Sequence, residues 1–266
     1  MQIKLAAIQM TSTPVVEENI ATVQRLVGDA VAAGAELVLL PEYWSTIGMH
    51  EKDKLAQAEK FGEGVMQNCL RELATLHGLW LIGGTIPLQS PEAGKVLNTT
   101  LVFDPQGACV ARYDKMHLFG FQKDNESYDE SRTILHGDHV GYFAAPFGRV
   151  GLSVCYDLRF PELYRALGDC ALIVVPSAFT DTTGQAHWEV LLRARAIENQ
   201  CYVLAAAQGG THRNGRRTWG HSMLIDPWGD VLSVLPEGEG VVSGVLDAAR
   251  LAAVRASLPA LQHRRL

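Results

Sequence analysis

Positive charge is scarce in this chain, the cysteines show no pairing pattern, and no apolar stretch is long. Lys and Arg number 23 against 29 Asp and Glu, giving a formal net charge of −6 over 266 residues. Nucleic-acid binding generally needs a basic face that displaces counterions from phosphates, so this balance argues against it. The Arg-Arg pairs at 216–217 and 264–265 are too short to reverse that conclusion. The five cysteines, at 69, 109, 155, 170 and 201, include no Cys-x-x-Cys and leave an odd count, which argues against both a disulfide framework and a zinc site. No apolar run approaches the roughly 20 residues that span a bilayer, and the strand-like residues 3–10 follow at once, without a basic-then-apolar leader. The expectation is a soluble protein of the cytoplasm with neither nucleic-acid nor membrane partners.

What is present is material for a large core. Hydrophobic residues make up 47% of the chain and charged residues 20%, which suits one large globular domain or two fused halves. Residues 3–10 read as a strand, and Thr13-Pro14 as an N-cap and first helical residue. Val16, Ile20, Val23, Val27, Ala30 and Val31 then recur at helical spacing up to Gly34. Residues 37–40 are continuously apolar, as in a strand buried on both faces, and end at Pro41-Glu42. A second helix over about 64–77 is stopped by Gly78, and a strand follows over 79–83. Segments 99–103 and 108–113 flank Asp104-Pro105-Gln106-Gly107, a turn signal, and form a predicted hairpin. Residues 114–140 lack periodicity and read as a long loop.

After that loop the pattern starts again. Residues 152–155 stand where 5–8 stood, Leu-Ile-Val-Val-Pro at 172–176 echoes Val-Leu-Leu-Pro at 38–41, and Asp226-Pro227-Trp228-Gly229 echoes Asp104 to Gly107. A helix is expected over 186–199, with Trp188, Leu191, Leu192, Ala196 and Ile197 as core positions, then a strand over 201–207. Two α/β layers of this kind bury their remaining apolar faces most simply sheet on sheet with helices outside. The expected fold is α/β, a four-layer α-β-β-α sandwich of two pseudo-symmetric halves.

The second half opens on Gly-Leu-Ser-Val-Cys-Tyr-Asp-Leu-Arg-Phe-Pro-Glu at 151–162. Residues 150–154 read as a buried strand and Phe160-Pro161-Glu162 as the first turn of a helix, so Cys155 falls at a strand-to-helix elbow. A thiol there can face a cleft with backbone N–H groups free to bind developing negative charge. It can equally be a packed small hydrophobe. Its partners therefore decide. Glu42 follows a buried strand, where sites in α/β sheets collect, or it is a solvated loop acid. Lys115, in Tyr-Asp-Lys-Met-His-Leu at 113–118, ends the hairpin, or it is a surface lysine. Together the three offer a nucleophile for carbon, a carboxylate to move protons and a cation for an oxyanion.

Leu-Pro-Glu at 40–42, Tyr-Asp-Lys-Met-His-Leu at 113–118 and Cys-Tyr-Asp-Leu-Arg-Phe-Pro-Glu at 155–162 resemble the three signatures of the nitrilase superfamily of carbon-nitrogen hydrolases. The motifs are in order and cover essentially the whole chain. The resemblance implies the α-β-β-α sandwich, a single catalytic domain over 1–266, and a Cys155-Glu42-Lys115 triad needing no metal or organic cofactor. Glu130 resembles the family's additional active-site glutamate, or is an ordinary loop acid. Phe119-Gly120 departs from the Phe-Asp of close relatives, which bears on local loop shape.

The implied reaction has Glu42 take the Cys155 proton, the thiolate attack an amide carbonyl, and Lys115 with the Tyr156 N–H hold the oxyanion. A carboxylic acid and ammonia are released through a thioester. Tyr156-Asp157 after the nucleophile favours an amidase over a nitrilase, whose members tend to carry Trp-Glu there. Two branches compete, amidases acting on deaminated glutathione and omega-amidases acting on 2-oxoglutaramate or 2-oxosuccinamate. The stretches around 176–208, 220–223 and 258–265 lie closer to the first. Both substrates are anionic, so a cation near the thiol is expected, and Arg159 is the candidate unless it pairs with a nearby acid. Phe179 and Thr180 are expected to line the pocket. His117, His187 and Trp188 are read as packing or hydrogen-bonding residues. The resemblance also implies a homodimer, with residues 160–167 and the C-terminal tail at the interface. A carbamoyl, acyl-transfer or nitrile enzyme, or a non-catalytic interaction protein on the same fold, are the rival readings.

Overall fold

Alternate residues of the opening strand decide which way the first layer faces. The computed structural model describes residues 1–123 and 126–265, and of Glu126 the backbone only. In the strand Gln2–Gln9, Leu5 and Ala7 join an apolar cluster with Val203, Leu204, Met223 and Leu224 of a second sheet. Ala6 and Ile8 point the other way, among Val23, Leu26, Val27, Leu70 and Leu73 of the outer helices. The strand Leu37–Leu39 repeats this, with Leu37 and Leu39 inward and Val38 outward. The period of two thus matches a strand buried on both faces.

The helix Val16–Ala32 buries the predicted apolar stripe through Val23, Leu26, Val27 and Ala30. Its start differs from expectation. Val15 is the N-cap and Thr13-Pro14 lie outside the helix. The Thr13 hydroxyl is instead drawn into a local turn, accepting from Val15 N at 3.1 Å and donating to Glu18. The helix Val65–His77 ends as predicted on Gly78, whose left-handed φ of 61° suits glycine.

Two sheets carry the same strand sequence. In the first, Gly240–Asp247 runs antiparallel to Gln2–Gln9, followed by parallel Leu37–Leu39 and Trp80–Ile82, then antiparallel Val96–Phe103 and Cys109–Asp114. In the second, Gly141–Ala145 runs antiparallel to Gly148–Leu152, followed by parallel Leu172–Ser177 and Tyr202–Ala207, then antiparallel Ser222–Ile225 and Val231–Leu235. Helices Val16–Ala32 and Val65–His77 cover one outer face; Pro161–Ala166 and Asp181–Asn199 cover the other, giving the four-layer sandwich. The closing edge of the first sheet comes from the far end of the chain, a long-range pairing that no local pattern announces.

The repeat holds at its turns and shifts at its first strand. Asp104 Oδ1 accepts from Gln106 N and Ala108 N at 3.0 and 2.9 Å, and Asp226 Oδ1 accepts from Trp228 N and Asp230 N, each at 2.9 Å. Leu5 pairs with Leu37, whereas Val150 pairs with Leu172. With the two prolines, 41 and 176, taken as equivalent, Val150 rather than Leu152 corresponds to Leu5. Cys155 therefore corresponds to Met10, not to Ile8.

Three further boundaries differ from the sequence reading. The strand before the elbow ends at Leu152 because Val154 N donates to Asp157 Oδ2 at 2.8 Å instead of to the ladder. The long helix begins at Asp181 rather than 186 because Thr180 caps it, its hydroxyl accepting from Thr183 N at 3.3 Å. The predicted loop 114–140 contains the paired strands Gly120–Lys123 and Glu126–Asp129, a 3-10 turn at Glu130–Arg132 and the strand Ile134–Leu135 beside Val96 and Leu97. The paired strands and the turn are short and polar, and Ile134–Leu135 is only two residues long, so they leave no apolar alternation to read. Asp124 and Asn125 of that loop lie outside the described residues.

Candidate active site

Glu42, Lys115 and Cys155 each follow the end of a strand, and the sandwich brings those ends together. Glu42 comes just after Leu37–Leu39, seated by Gly84 behind it. Gly84 has a φ of +49°, and a Cβ there would stand 2.0 Å from the Pro41 carbonyl, so only glycine permits this approach. Thr85 Oγ1 then accepts from Tyr43 N at 2.9 Å, fixing the turn that carries the carboxylate.

The Glu42 carboxylate is 1% exposed and held from both halves of the molecule. Its Oε1 accepts from Lys115 Nζ and Asn98 Nδ2, both at 2.9 Å, and its Oε2 accepts from Ala178 N at 2.9 Å. Lys115, fully buried, also donates to Glu130 Oε2 at 2.8 Å. Glu130 in turn accepts from Tyr43 Oη at 2.7 Å and Phe119 N at 2.7 Å. Burial alone would pull the Lys115 pKa down, but Glu130 and Glu42 outweigh it and hold it well above its usual value. Burial likewise pushes Glu130 up, and Lys115 overcomes this to leave its carboxyl below the ordinary range.

Cys155 lies at the elbow with φ 51°, a left-handed conformation that a non-glycine residue adopts at a cost of about 1–3 kcal/mol. A 3-10 turn runs over Cys155–Arg159 and the α-helix Pro161–Ala166 follows, with proline at its first position. The first backbone bond of the 3-10 turn is Asp157 N to Val154 O at 3.0 Å, so the N–H groups of Cys155 and Tyr156 precede it. Burial, followed by the Glu42 charge, raises the thiol well above its usual pKa, with Lys115 opposing. The thiol is thus protonated at neutral pH and has a carboxylate beside it as acceptor.

Asp157, the third residue of the motif, braces the elbow. It accepts from Tyr113 Oη at 2.7 Å, His117 N at 3.0 Å and Val154 N at 2.8 Å, and its Oδ1 is 2.7 Å from His117 Nδ1. His117 also stacks on Phe160 with ring centroids 3.7 Å apart. These contacts tie the Lys115 strand end to the Cys155 elbow. Trp188 Nε1 donates to His221 O at 2.8 Å, which fits its reading as a packing residue.

A narrow slot over the thiol is lined by Glu42, Phe119, Glu130, Tyr156, Arg159, Phe179, Thr180 and Arg216 among others. At about 10 Å³ it has room for roughly one water, so an acyl group enters only if side chains shift. The slot shares Phe119, Glu130 and Arg216 with an outer cleft of about 500 Å³. The four pocket residues expected from sequence, Tyr156, Arg159, Phe179 and Thr180, all lie along the slot. Arg159 has no carboxylate partner among the described residues. Its Nη1 is 3.2 Å from His187 Nδ1, and its guanidinium lies 5.3 Å from the Phe179 ring and 5.6 Å from the Tyr156 ring. The Thr180 hydroxyl is engaged in capping its helix. Among the described residues no group of three or more His, Cys, Asp or Glu is placed to hold a metal ion.

The carbon-nitrogen hydrolase sequence family matches residues 4–256, nearly the full chain. The chain belongs to this family. The chain is 44% identical over 265 residues to a protein of Synechocystis named deaminated glutathione amidase, covering 97% of each. It is 38% identical over 266 residues to the human protein named omega-amidase NIT2, covering 98% of this chain and 95% of that one. The crystal structure of the C. elegans NitFhit protein superposes with a TM-score of 0.90 at 39% identity, over 99% of this chain and 65% of that longer one. This carbon-nitrogen hydrolase therefore has the nitrilase-superfamily fold, and the sequence resemblance and the strand-end geometry agree.

Sequence reasoning missed Tyr43, Asn98, Asp157 and Arg216. Asp157 lies within a motif, two residues from Cys155, and Tyr43 directly follows the Leu-Pro-Glu motif, one residue from Glu42. Asn98, in the buried strand Val96–Phe103, carried a signal in hindsight: a polar amide in a buried strand needs a partner.

Proposed function

We propose that this protein is a cysteine-dependent amidase that hydrolyses deaminated glutathione through a thioester at Cys155. The observation that carries the reading is the buried Cys155 thiol beside a Glu42 carboxylate fixed by Lys115, Asn98 and the Ala178 N–H. A carboxylate so held is pre-positioned to accept the thiol proton, which the raised thiol pKa requires. Attack on the amide carbonyl then places developing negative charge near Lys115 Nζ and the Tyr156 N–H, donors already oriented before the reaction. Glu42 returns the proton to the departing amine, then takes one from the water that opens the thioester. Glu130, bound to Lys115 and to Tyr43, holds the lysine in place and raises its affinity for its proton. Arg159, with no carboxylate partner among the described residues, is positioned to receive the substrate's 2-oxo acid carboxylate beside Phe179 and Thr180.

The amine distinguishes the two branches. Deaminated glutathione has no primary amide, so its departing amine is cysteinylglycine, and the ammonia expected from the sequence applies only to 2-oxoglutaramate. The relatives named for both substrates, with the higher identity on the deaminated glutathione side, support the first reading, as does an outer cleft large enough for a dipeptide. The omega-amidase activity is the second reading. The direct test is to follow cysteinylglycine from deaminated glutathione and ammonia from 2-oxoglutaramate, with Cys155→Ala as control. A higher kcat/KM for the first supports the assignment; a higher kcat/KM for the second moves the protein to the omega-amidase reading.

Residues 1–266 act in this proposal as a single catalytic domain, in the cytoplasm, as a homodimer. No helix among the described residues is long and apolar enough to cross a membrane. Leu163, Tyr164 and Leu167 of the elbow helix are buried within the subunit, which leaves Arg165 and the tail around the half-exposed Leu258 for a partner. A monomeric mass by light scattering would remove the dimer.

A further inference from the structure

The two candidate substrates transfer the same 2-oxoglutaryl group to the thiol and differ only in the amine that leaves. Discrimination between them therefore belongs to the side where the amine departs, not to the Arg159 side. The outer cleft adjoins the slot over the thiol, and Arg216 is the cation at the junction, lining both. Its neighbours in sequence are neutralised: Arg217 pairs with Asp181 at 3.3 Å and Arg213 with Glu18 at 2.8 Å. Arg216 has no carboxylate partner among the described residues. Its Nη2 donates to Ala178 O at 2.7 Å and its guanidinium lies 5.2 Å from the Tyr128 ring, but its buried Nε has no partner. A half-buried guanidinium with an unused donor costs desolvation that an incoming anion or carbonyl repays. Lys54, across the same cleft, is already paired with Glu51 at 2.9 Å.

We propose that Arg216 and the outer cleft form a leaving-group subsite for an amine that itself bears a carboxylate, so that the preferred substrate is anionic on both sides of the scissile amide. This inference rests on the amidase reading above and extends it to the class of amine accepted. The acyl side meets Arg159, the amine side meets Arg216, and the amide nitrogen crosses between them at Cys155. After acyl transfer the dipeptide leaves through the cleft, and its carboxylate exchanges Arg216 for water.

The test compares deaminated glutathione with its glycine methyl ester, in the wild type, Arg216→Met and Arg216→Lys. Cysteinylglycine or its ester is measured as product. One charge-assisted contact corresponds to roughly a tenfold to hundredfold preference in kcat/KM for the free carboxylate. The wild type should show that preference, carried mainly in KM. Arg216→Met should bring the ratio to about one, and Arg216→Lys should restore part of it. Because the ratio is taken within one variant, a loss of kcat through the Ala178 contact does not affect it. A ratio unchanged in Arg216→Met overturns the subsite while leaving the amidase reading standing. Release of product from neither compound by the wild type overturns both.

Discussion

The two halves of the sandwich offer the same positions and use them differently. Met10 and Cys155 occupy equivalent places after the strands Gln2–Gln9 and Gly148–Leu152, and Glu42 and Ser177 are likewise equivalent at the ends of Leu37–Leu39 and Leu172–Ser177. Met10 is fully buried in the apolar cluster under the outer helices. Cys155 adopts φ 51° and borders the slot. Glu42 is held by three hydrogen bonds, whereas the buried Ser177 hydroxyl has no partner. The fold supplies strand ends in duplicate, and one from each half carries chemistry. A site assembled across the pseudo-symmetry has its nucleophile and base on different sheets, so packing between the sheets sets their distance.

The sharpest way to break this comparison is at the first pair of positions. Cys155→Ala should lower turnover by about 10³-fold or more, because no other group can carry the acyl. Met10→Leu, a volume-conserving change at the equivalent place, should cost less than about 1.5 kcal/mol of stability and keep activity. Steady-state rates and urea midpoints on both variants check this. If the two variants lose activity alike, equivalent positions have equivalent roles and the comparison fails.

At the second pair, Glu42→Gln keeps the shape but removes the proton acceptor, and kcat should fall about 10²- to 10⁴-fold. Ser177→Ala removes a hydroxyl with no partner among the described residues and should change kcat by less than about tenfold. Circular dichroism should show both folded.

Much of the fold could be read locally, because apolar alternation, turn chemistry and glycine stops are local. Asp104 and Asp226 announced their turns, and Gly78 its helix end. The return of Gly240–Asp247 to the first sheet and the register that pairs Val150 with Leu172 depend on distant partners, whereas the paired strands Gly120–Lys123 and Glu126–Asp129 are local but too short and polar to read. The same division runs through the site. Glu42, Lys115 and Cys155, at strand ends and within motifs, stood out as candidates, and Glu130 did so through the family resemblance alone. Asn98 and Arg216 did not, because an amide in a strand and an arginine in a basic loop acquire meaning only from what packs beside them.

The charged cluster makes a third contrast, this time with pH. Lys115→Met leaves Glu42 and Glu130 buried together without their cation and should destabilise the protein by about 3–5 kcal/mol at neutral pH. Glu130 has a lowered pKa in the folded state, so its contribution is present above the ordinary glutamate range and is lost as pH falls through the folded value. Lys115, whose pKa is raised, contributes fully below its ordinary range and loses this only at higher pH. The gap between wild type and Lys115→Met should therefore narrow in acid, and urea titrations from pH 7 to pH 4 test it. A gap that widens in acid would mean that the cluster is not held by its charges.

The smallest effect compares the two turns. Asp104→Ala should cost about 0.5–2 kcal/mol through its lost turn bonds. Asp226→Ala should cost more, because Asp226 Oδ2 also accepts from Arg250 Nε at 2.9 Å. Equal costs would assign that pair no weight.

The central claim is that Cys155 carries the acyl group. Rapid acid quench of the wild-type protein during turnover of deaminated glutathione, followed by peptide mass analysis, tests it most directly. The account predicts a 2-oxoglutaryl thioester on the peptide containing Cys155, the same adduct from 2-oxoglutaramate, and none in Cys155→Ala. Turnover with no adduct at Cys155, or an adduct on another cysteine, would contradict it.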